Sequence, residues 1–228
     1  AKIFEFISGS FSPLIPALAG AGMLKALLTI LTAMGMLSPE SGTYSILSAA
    51  GNSIFYFLPI MLGFTCSKTL GVNPYVGAAI GAALLEPNFT GLLANGQKTD
   101  FLGLSVILMD YSSSVFPIFI ATVIYSFIEK GLKKVIHKDL QLFLIPMISL
   151  MVIVPLTAMA FGPFGVYVGT AIGSAITFIG TKSSIISGIV IGGCWTFLVI
   201  FGLHWALVPI VLGNIAAGGD PIIAMAAG

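Results

Sequence analysis

The stretch LQLFLIPMISLMVIVPLTAMAF, residues 140–161, decides the fold, because it carries no charged residue from end to end. An α-helix crosses the hydrocarbon core of a bilayer with about 20 such residues. The rest of the chain has the same character: 57% of its residues are hydrophobic, 7% are charged and the mean hydropathy is +1.10. A soluble domain has roughly a quarter charged residues. Apolar runs broken by Gly, Pro and Ser, without strict alternation, favour helices over a transmembrane barrel. The expectation is therefore an all-α polytopic membrane protein with about seven membrane segments in 228 residues.

Working outward, spans are expected near 11–37, 44–66 and 72–85, the first with Pro13 and Pro16 in its opening turn and the third rich in Gly and Ala. Residues 86–103 read as a polar external or re-entrant loop. A re-entrant or broken element is expected near 104–114, where DYSSS separates two apolar runs. The helix then resumes to about Ile128. Residues 129–139 hold Lys130, Lys133, Lys134 and Lys138 and read as a basic amphipathic cytoplasmic connection. Further spans are expected at 140–161, 164–180 and 185–212. The chain divides accordingly into a scaffold and dimerisation part (1–128), the connection (129–139) and the first part of a transport domain (140–228). A cytoplasmic N-terminus places Lys2, Lys68, Lys130 to Lys138 and Lys182 inside and leaves Lys98 outside, as lysine asymmetry requires. The opening AKIFEF and the ending PIIAMAAG read as those of a segment within a longer protein.

Several chemistries lack their motif. There is no glycine-rich nucleotide loop, metal-ligand cluster, hydrolase elbow or glycosidase-like carboxylate pair, so no metal, cofactor or nucleic-acid partner is expected. Cys66 and Cys194 lie far apart in apolar sequence and read as packing residues. The chain contains no arginine, so an anion would meet lysine, histidine, helix N-termini or backbone amides.

The candidate site residues are the polar groups at membrane depth. FGLHWALVPI, residues 201–210, sets His204 beside Trp205, flanked by Gly202 and Pro209. A titratable group in lipid marks a pathway or substrate site, or else bonds a carbonyl freed by a broken helix. A sugar offers apolar C–H faces to an aromatic ring and hydroxyls to polar partners, although tryptophan also belongs at membrane interfaces. Asp110, Tyr111 and Ser112 gather donors and acceptors suited to a polyhydroxylated solute, or cap the helix that follows. Lys25 is a substrate ligand, a structural ion-pair partner of Glu86 or Asp110, or a lysine that snorkels to the interface. Asn52 is a ligand or an interhelical bond.

Together SPLIPALAGAGMLKALL, the run from SGTYSILS to GAAIGAAL, DYSSSVFPIF, LIPMISLMVIVPLTAMAFGP and FGLHWALVPI resemble enzyme IIC. This is the membrane domain of bacterial phosphoenolpyruvate-dependent sugar phosphotransferase permeases, here of the glucose superfamily and its beta-glucoside, sucrose and trehalose branch. The resemblance implies a homodimeric permease of the bacterial inner membrane. It binds a sugar and presents the C6 hydroxyl to a phosphocysteine on an enzyme IIB domain, which enzyme IIA and upstream phosphocarrier proteins recharge. It places His204 in the sugar site, where the chemistry of an imidazole suits it to orient a hydroxyl or act as general base. The family's GITEP-like glutamate would lie beyond Gly228. No CxTRL-type motif is present, so the segment alone is not expected to phosphorylate sugar. The rival readings are a proton-coupled secondary sugar transporter using Lys25, Asp110 or Glu86, and an anchoring module that dimerises through Gly77 and Gly81.

Overall fold

The computed structural model describes residues 2–94, 99–106, 108–112 and 114–161, together with Pro163, Phe164 and Tyr167. The described chain is mainly helical. Helix α1 (Lys2–Phe11) leads through a 3-10 turn (Ser12–Leu14) into α2 (Ile15–Ala33), with Pro13 where the turn has no use for its missing N–H. Helix α3 (Gly42–Tyr56) starts at Ser41, whose hydroxyl accepts the Tyr44 N–H. It gives way to α4 (Leu58–Thr69) at Phe57, next to Pro59. The two form one apolar path bent by 41°. The expected span at 44–66 is thus a broken one.

Helix α5 (Pro74–Ala83) is capped by Asn73, whose side chain accepts the Tyr75 N–H. The polar loop expected at 86–103 instead begins with a helix, α6 (Pro87–Ala94), which extends the apolar path from Pro74 to Leu93. Glu86 explains the difference: its carboxylate accepts the backbone N–H and side-chain amide of Asn88, and Pro87 fits the first helical turn. Strands β1 (Thr99–Phe101) and β2 (Leu104–Val106) follow as an antiparallel hairpin, pairing Thr99 with Val106 and Phe101 with Leu104. Both turn residues have positive φ, Leu102 at 53° and Gly103 at 84°, as tight hairpins demand. The all-α expectation therefore yields to a small two-stranded insert. Residues 108–112 form no helix or strand, so the chain is broken near 104–114 as its polar sequence suggests.

Helix α7 (Phe116–Val135) continues over residues 129–135, the first part of the stretch expected to be a connection. Only Ile136 and His137 separate it from α8 (Lys138–Leu156), which ends in a π turn (Thr157–Phe161). Pro155 donates no backbone hydrogen bond, and the last turn widens just beyond it. Among the described residues three apolar stretches are long enough to cross a membrane: Glu5–Ala33, Pro74–Leu93 and Lys138–Phe161. The bent α3–α4 pair makes a fourth. The number seven is not reached there. The segments expected at 164–180 and 185–212 lie outside the described residues, apart from Phe164 and Tyr167.

The core forms around α4. Leu62, Cys66, Ile80, Leu84, Ile118, Tyr125 and Ile153 are buried together where α4, α5, α7 and α8 meet. Helices α2 and α3 pack mainly on each other, and α2 shows Met23, Leu27 and Ile30 outward. The tightest contact joins α4 to α5, with backbone against backbone at Gly63 and Gly81 and the Ser67 side chain against Gly77. A Cβ at Gly63 would stand 2.2 Å from the Gly77 carbonyl oxygen, and one at Gly81 would stand 2.3 Å from that of Pro59. Glycines four positions apart let helices in lipid touch backbone to backbone. Gly77 and Gly81 are thereby occupied within the chain, which removes them as the surface of an anchoring dimer.

Gly63→Ala, Gly77→Ala and Gly81→Ala should each lower stability by about 1–3 kcal/mol or more, the cost of overpacking. Gly131→Ala, with no atom within 4 Å of the new methyl, should be neutral or stabilising. Thermal unfolding of the detergent-solubilised protein checks the contrast; equal effects at all four positions would contradict it.

Candidate functional site

Two groups of the expected site residues are described. The first is held by the α2–α3 pair. Lys25 Nζ lies 3.4 Å from Asn52 Oδ1 and 5.2 Å from the centre of the Phe55 ring. The Lys25 stem also passes Gly51, where a Cβ would meet its Cγ at 3.0 Å. An amide oxygen and a ring face thus receive the ammonium, a pairing with neither Glu86 nor Asp110. Both Lys25 and Asn52 remain exposed on the described chain.

The second group lies in the irregular segment after the hairpin. Asp110 Oδ1 accepts the Ser112 N–H at 2.8 Å, a local turn. Asp110 is exposed and Ser112 half-buried. Tyr111 between them is only 1% exposed, packs its ring 5.8 Å from that of Phe89 and donates its hydroxyl to the Ala158 carbonyl at 3.5 Å. It pins the segment to the π turn, leaving Asp110 and Ser112 as the polar groups nearer the surface. Among the described residues no hydrogen bond joins this group to Lys25 or Asn52. His204, Trp205 and Gly202 lie outside the described residues.

The most elaborate polar cluster is one that sequence reasoning missed. Glu129, 2% exposed, accepts the Asn73 N–H at 3.1 Å, the Tyr125 hydroxyl, and the Lys133 ammonium at 2.5 Å. Lys130 reaches across to the Leu70 carbonyl at 3.0 Å. The Gln141 amide donates to the carbonyls of Lys133 and Ile136, holding α8 against the end of α7. The available signal was the spacing of Tyr125, Glu129 and Lys133, which puts all three on one helix face. Burial pushes the Glu129 carboxyl up, but hydrogen bonds from Lys133, Tyr125 and the Asn73 backbone outweigh it and hold the group below its ordinary value.

What this geometry offers is an ordered scaffold, with exposed polar groups at two places and a neutralised buried carboxylate at one end. Comparison with known proteins adds the family. The family model described as "Phosphotransferase system, EIIC" matches residues 8–228. The chain belongs to the phosphotransferase-system EIIC family. An EIIC chain is an integral membrane protein of a sugar phosphotransferase system, in keeping with its apolar helices. Among relatives, the beta-glucoside-specific EIIBCA component of Halalkalibacterium halodurans is 39% identical over 98% of this chain and 38% of its own length. That of Bacillus subtilis is 38% identical over 95% of this chain and 36% of its own length. The sucrose-specific EIIBC component of Klebsiella pneumoniae is 32% identical over 99% of this chain and 51% of its own length. This EIIC chain thus spans about half or less of these relatives. No solved structure matches it.

The cluster makes stability depend on pH in one direction. A lowered carboxyl contributes stability that is complete above its unfolded pKa, about 4.3, and lost as pH falls through the folded value. Glu129→Gln should flatten that acid limb. Lys133→Met should cost ~2 kcal/mol, the scale of a hydrogen bond to a charged group, whereas Lys134→Met should cost little. Unfolding midpoints measured against pH check both.

Proposed function

We propose that the chain is the sugar-translocating part of a phosphotransferase permease of the beta-glucoside and sucrose branch. It carries a glucoside or disaccharide inward while an enzyme IIB phosphocysteine phosphorylates the C6 hydroxyl. The observation that carries this reading is the family match over residues 8–228 with beta-glucoside- and sucrose-specific relatives. It favours group translocation over a proton-coupled carrier. The EIIBCA names of two relatives, and the share of their length lying outside the match, support enzyme IIB and IIA partner domains. Upstream phosphocarrier proteins recharge them, and the working unit is a homodimer.

In this reading His204 orients the reacting hydroxyl and helps remove its proton as phosphate arrives. Trp205 stacks on the sugar and Gly202 leaves room for it. Asp110, Tyr111 and Ser112, with Asn52 and Lys25, belong to the polar lining of the path. The scaffold is 1–128, 129–139 is the basic cytoplasmic connection between the parts, and 140–228 opens the transport domain. The N-terminus is cytoplasmic, supported by the meeting of Lys130 with the end of α4, which carries Lys68. Tyr111 serves that lining by holding the segment in place, since its own ring is buried and its hydroxyl donates to the Ala158 carbonyl.

Transfer of label from phosphoenolpyruvate to a glucoside, by the full parent protein with the soluble phosphotransferase components, tests the reading. His204→Ala should slow transfer by about 10²-fold or more, the usual range for a general base. Retained sugar binding in that variant assigns the base role, and lost binding assigns a ligand role. Unchanged transfer would remove His204 from the site.

A further inference from the structure

A cleft of about 540 Å³ opens where α4 and α7 end and α5 and α8 begin. Its lining includes the apolar Val72, Val76, Leu142, Ile145 and Pro146 and the polar Tyr125, Glu129, Lys133 and Gln141. We propose that this cleft seats one anionic phospholipid, its headgroup at the lysines and an acyl chain along the α8 wall.

Three observations carry the assignment. The first is what the polar lining has left to offer. Glu129 already accepts three donors and the Gln141 amide is spent on two carbonyls, so a neutral polyol would find few free partners. Positive charge remains. Lys133 is half-exposed, and Lys68, Lys130, Lys134 and Lys138 are exposed at the same end. Opposing them are the buried Glu129 and an exposed Asp139, which lies 3.3 Å from His137. The second is depth. The apolar stretches Pro74–Leu93 and Lys138–Phe161 both begin at the cleft, so its apolar residues enter the hydrocarbon while Lys133 and the other lysines of that end stay at the headgroups. The third is the mouth, where Tyr75, 74% exposed, and Leu142, 74% exposed, stand as an interfacial ring and an uncovered apolar side chain. Basic pockets between membrane helices select anionic headgroups on these terms.

The test uses the intact protein that carries this chain, purified in mild detergent and supplied with phosphatidylglycerol or phosphatidylcholine. Native mass spectrometry counts the retained lipid, and hydrogen exchange follows the peptides covering residues 72–76 and 141–146. Phosphatidylglycerol should be retained and should protect both peptides, and phosphatidylcholine should do neither. Removing one lysine should weaken retention roughly fivefold, given the contribution of a lysine beside an anionic surface. The triple variant Lys130→Gln, Lys134→Gln, Lys138→Gln should lose it, with the Glu129–Lys133 pair intact. Leu142→Trp, which fills the cleft and changes no charge, should also lose it.

Equal retention of both lipids would overturn the proposal, as would competition by millimolar glycerol phosphate, which would make the site one for a soluble phosphate. Protection of both peptides in detergent without lipid would assign the cleft to protein, whether more of this chain or a second copy. If either variant fails to fold, the comparison of the two lipids on the unaltered protein still decides.

Discussion

The contact on which the described structure depends is the approach of α4 to α5 at Gly63, Gly77 and Gly81, where backbone meets backbone. In lipid, apolar side chains gain little by leaving the acyl chains, so helices associate through close packing and shared polar groups. The α4–α5 pair supplies the first kind of contact. It brings α5 under the Phe57–Pro59 break, and the buried row Leu58, Leu62, Cys66 faces Val76, Ile80 and Leu84. Helix α7 then packs on this pair and α8 on α7, which positions the cluster at Glu129.

That cluster supplies the second kind of contact. Glu129 ties its own helix, through Tyr125 and Lys133, to the cap of α5 through the Asn73 N–H, while Lys130 separately bonds the end of α4. Leaving a buried carboxylate without donors is costly, so the pieces hold one arrangement or lose it together. The α2–α3 pair is joined differently. Its outward face of Met23, Leu27 and Ile30 finds no covering helix among the described residues, and its one charged group rests on Asn52 and Phe55.

The sequence made the membrane class, the helical character and the family legible, because hydropathy and motif order survive without coordinates. The break near 104–114 was also readable, since Asp110 and its serines cannot continue an apolar helix. Other features depended on what a residue meets in space. Glu86 looked like part of a polar loop, yet its carboxylate starts α6 by taking the Asn88 N–H. Glu129 looked like the first residue of a solvated basic stretch, yet α7 carries it inside, where Asn73 reaches it across a separation of 56 residues. Tyr111 looked like a ligand beside Asp110, and its ring fills the core instead. Lys25, open to reading as a substrate ligand, an ion-pair partner or a snorkelling lysine, rests on an amide and a ring. In each case the residue type was right for polar chemistry, and its partner was fixed by packing that no local pattern encodes.

The central claim is that this EIIC chain moves sugar by coupling passage to phosphorylation. The most direct measurement is the chemical form in which a labelled glucoside arrives inside sealed vesicles bearing the full parent protein and containing phosphoenolpyruvate and the soluble phosphotransferase components. The account predicts sugar 6-phosphate, with none formed when phosphoenolpyruvate is withheld. Free sugar accumulating under a proton gradient would contradict it.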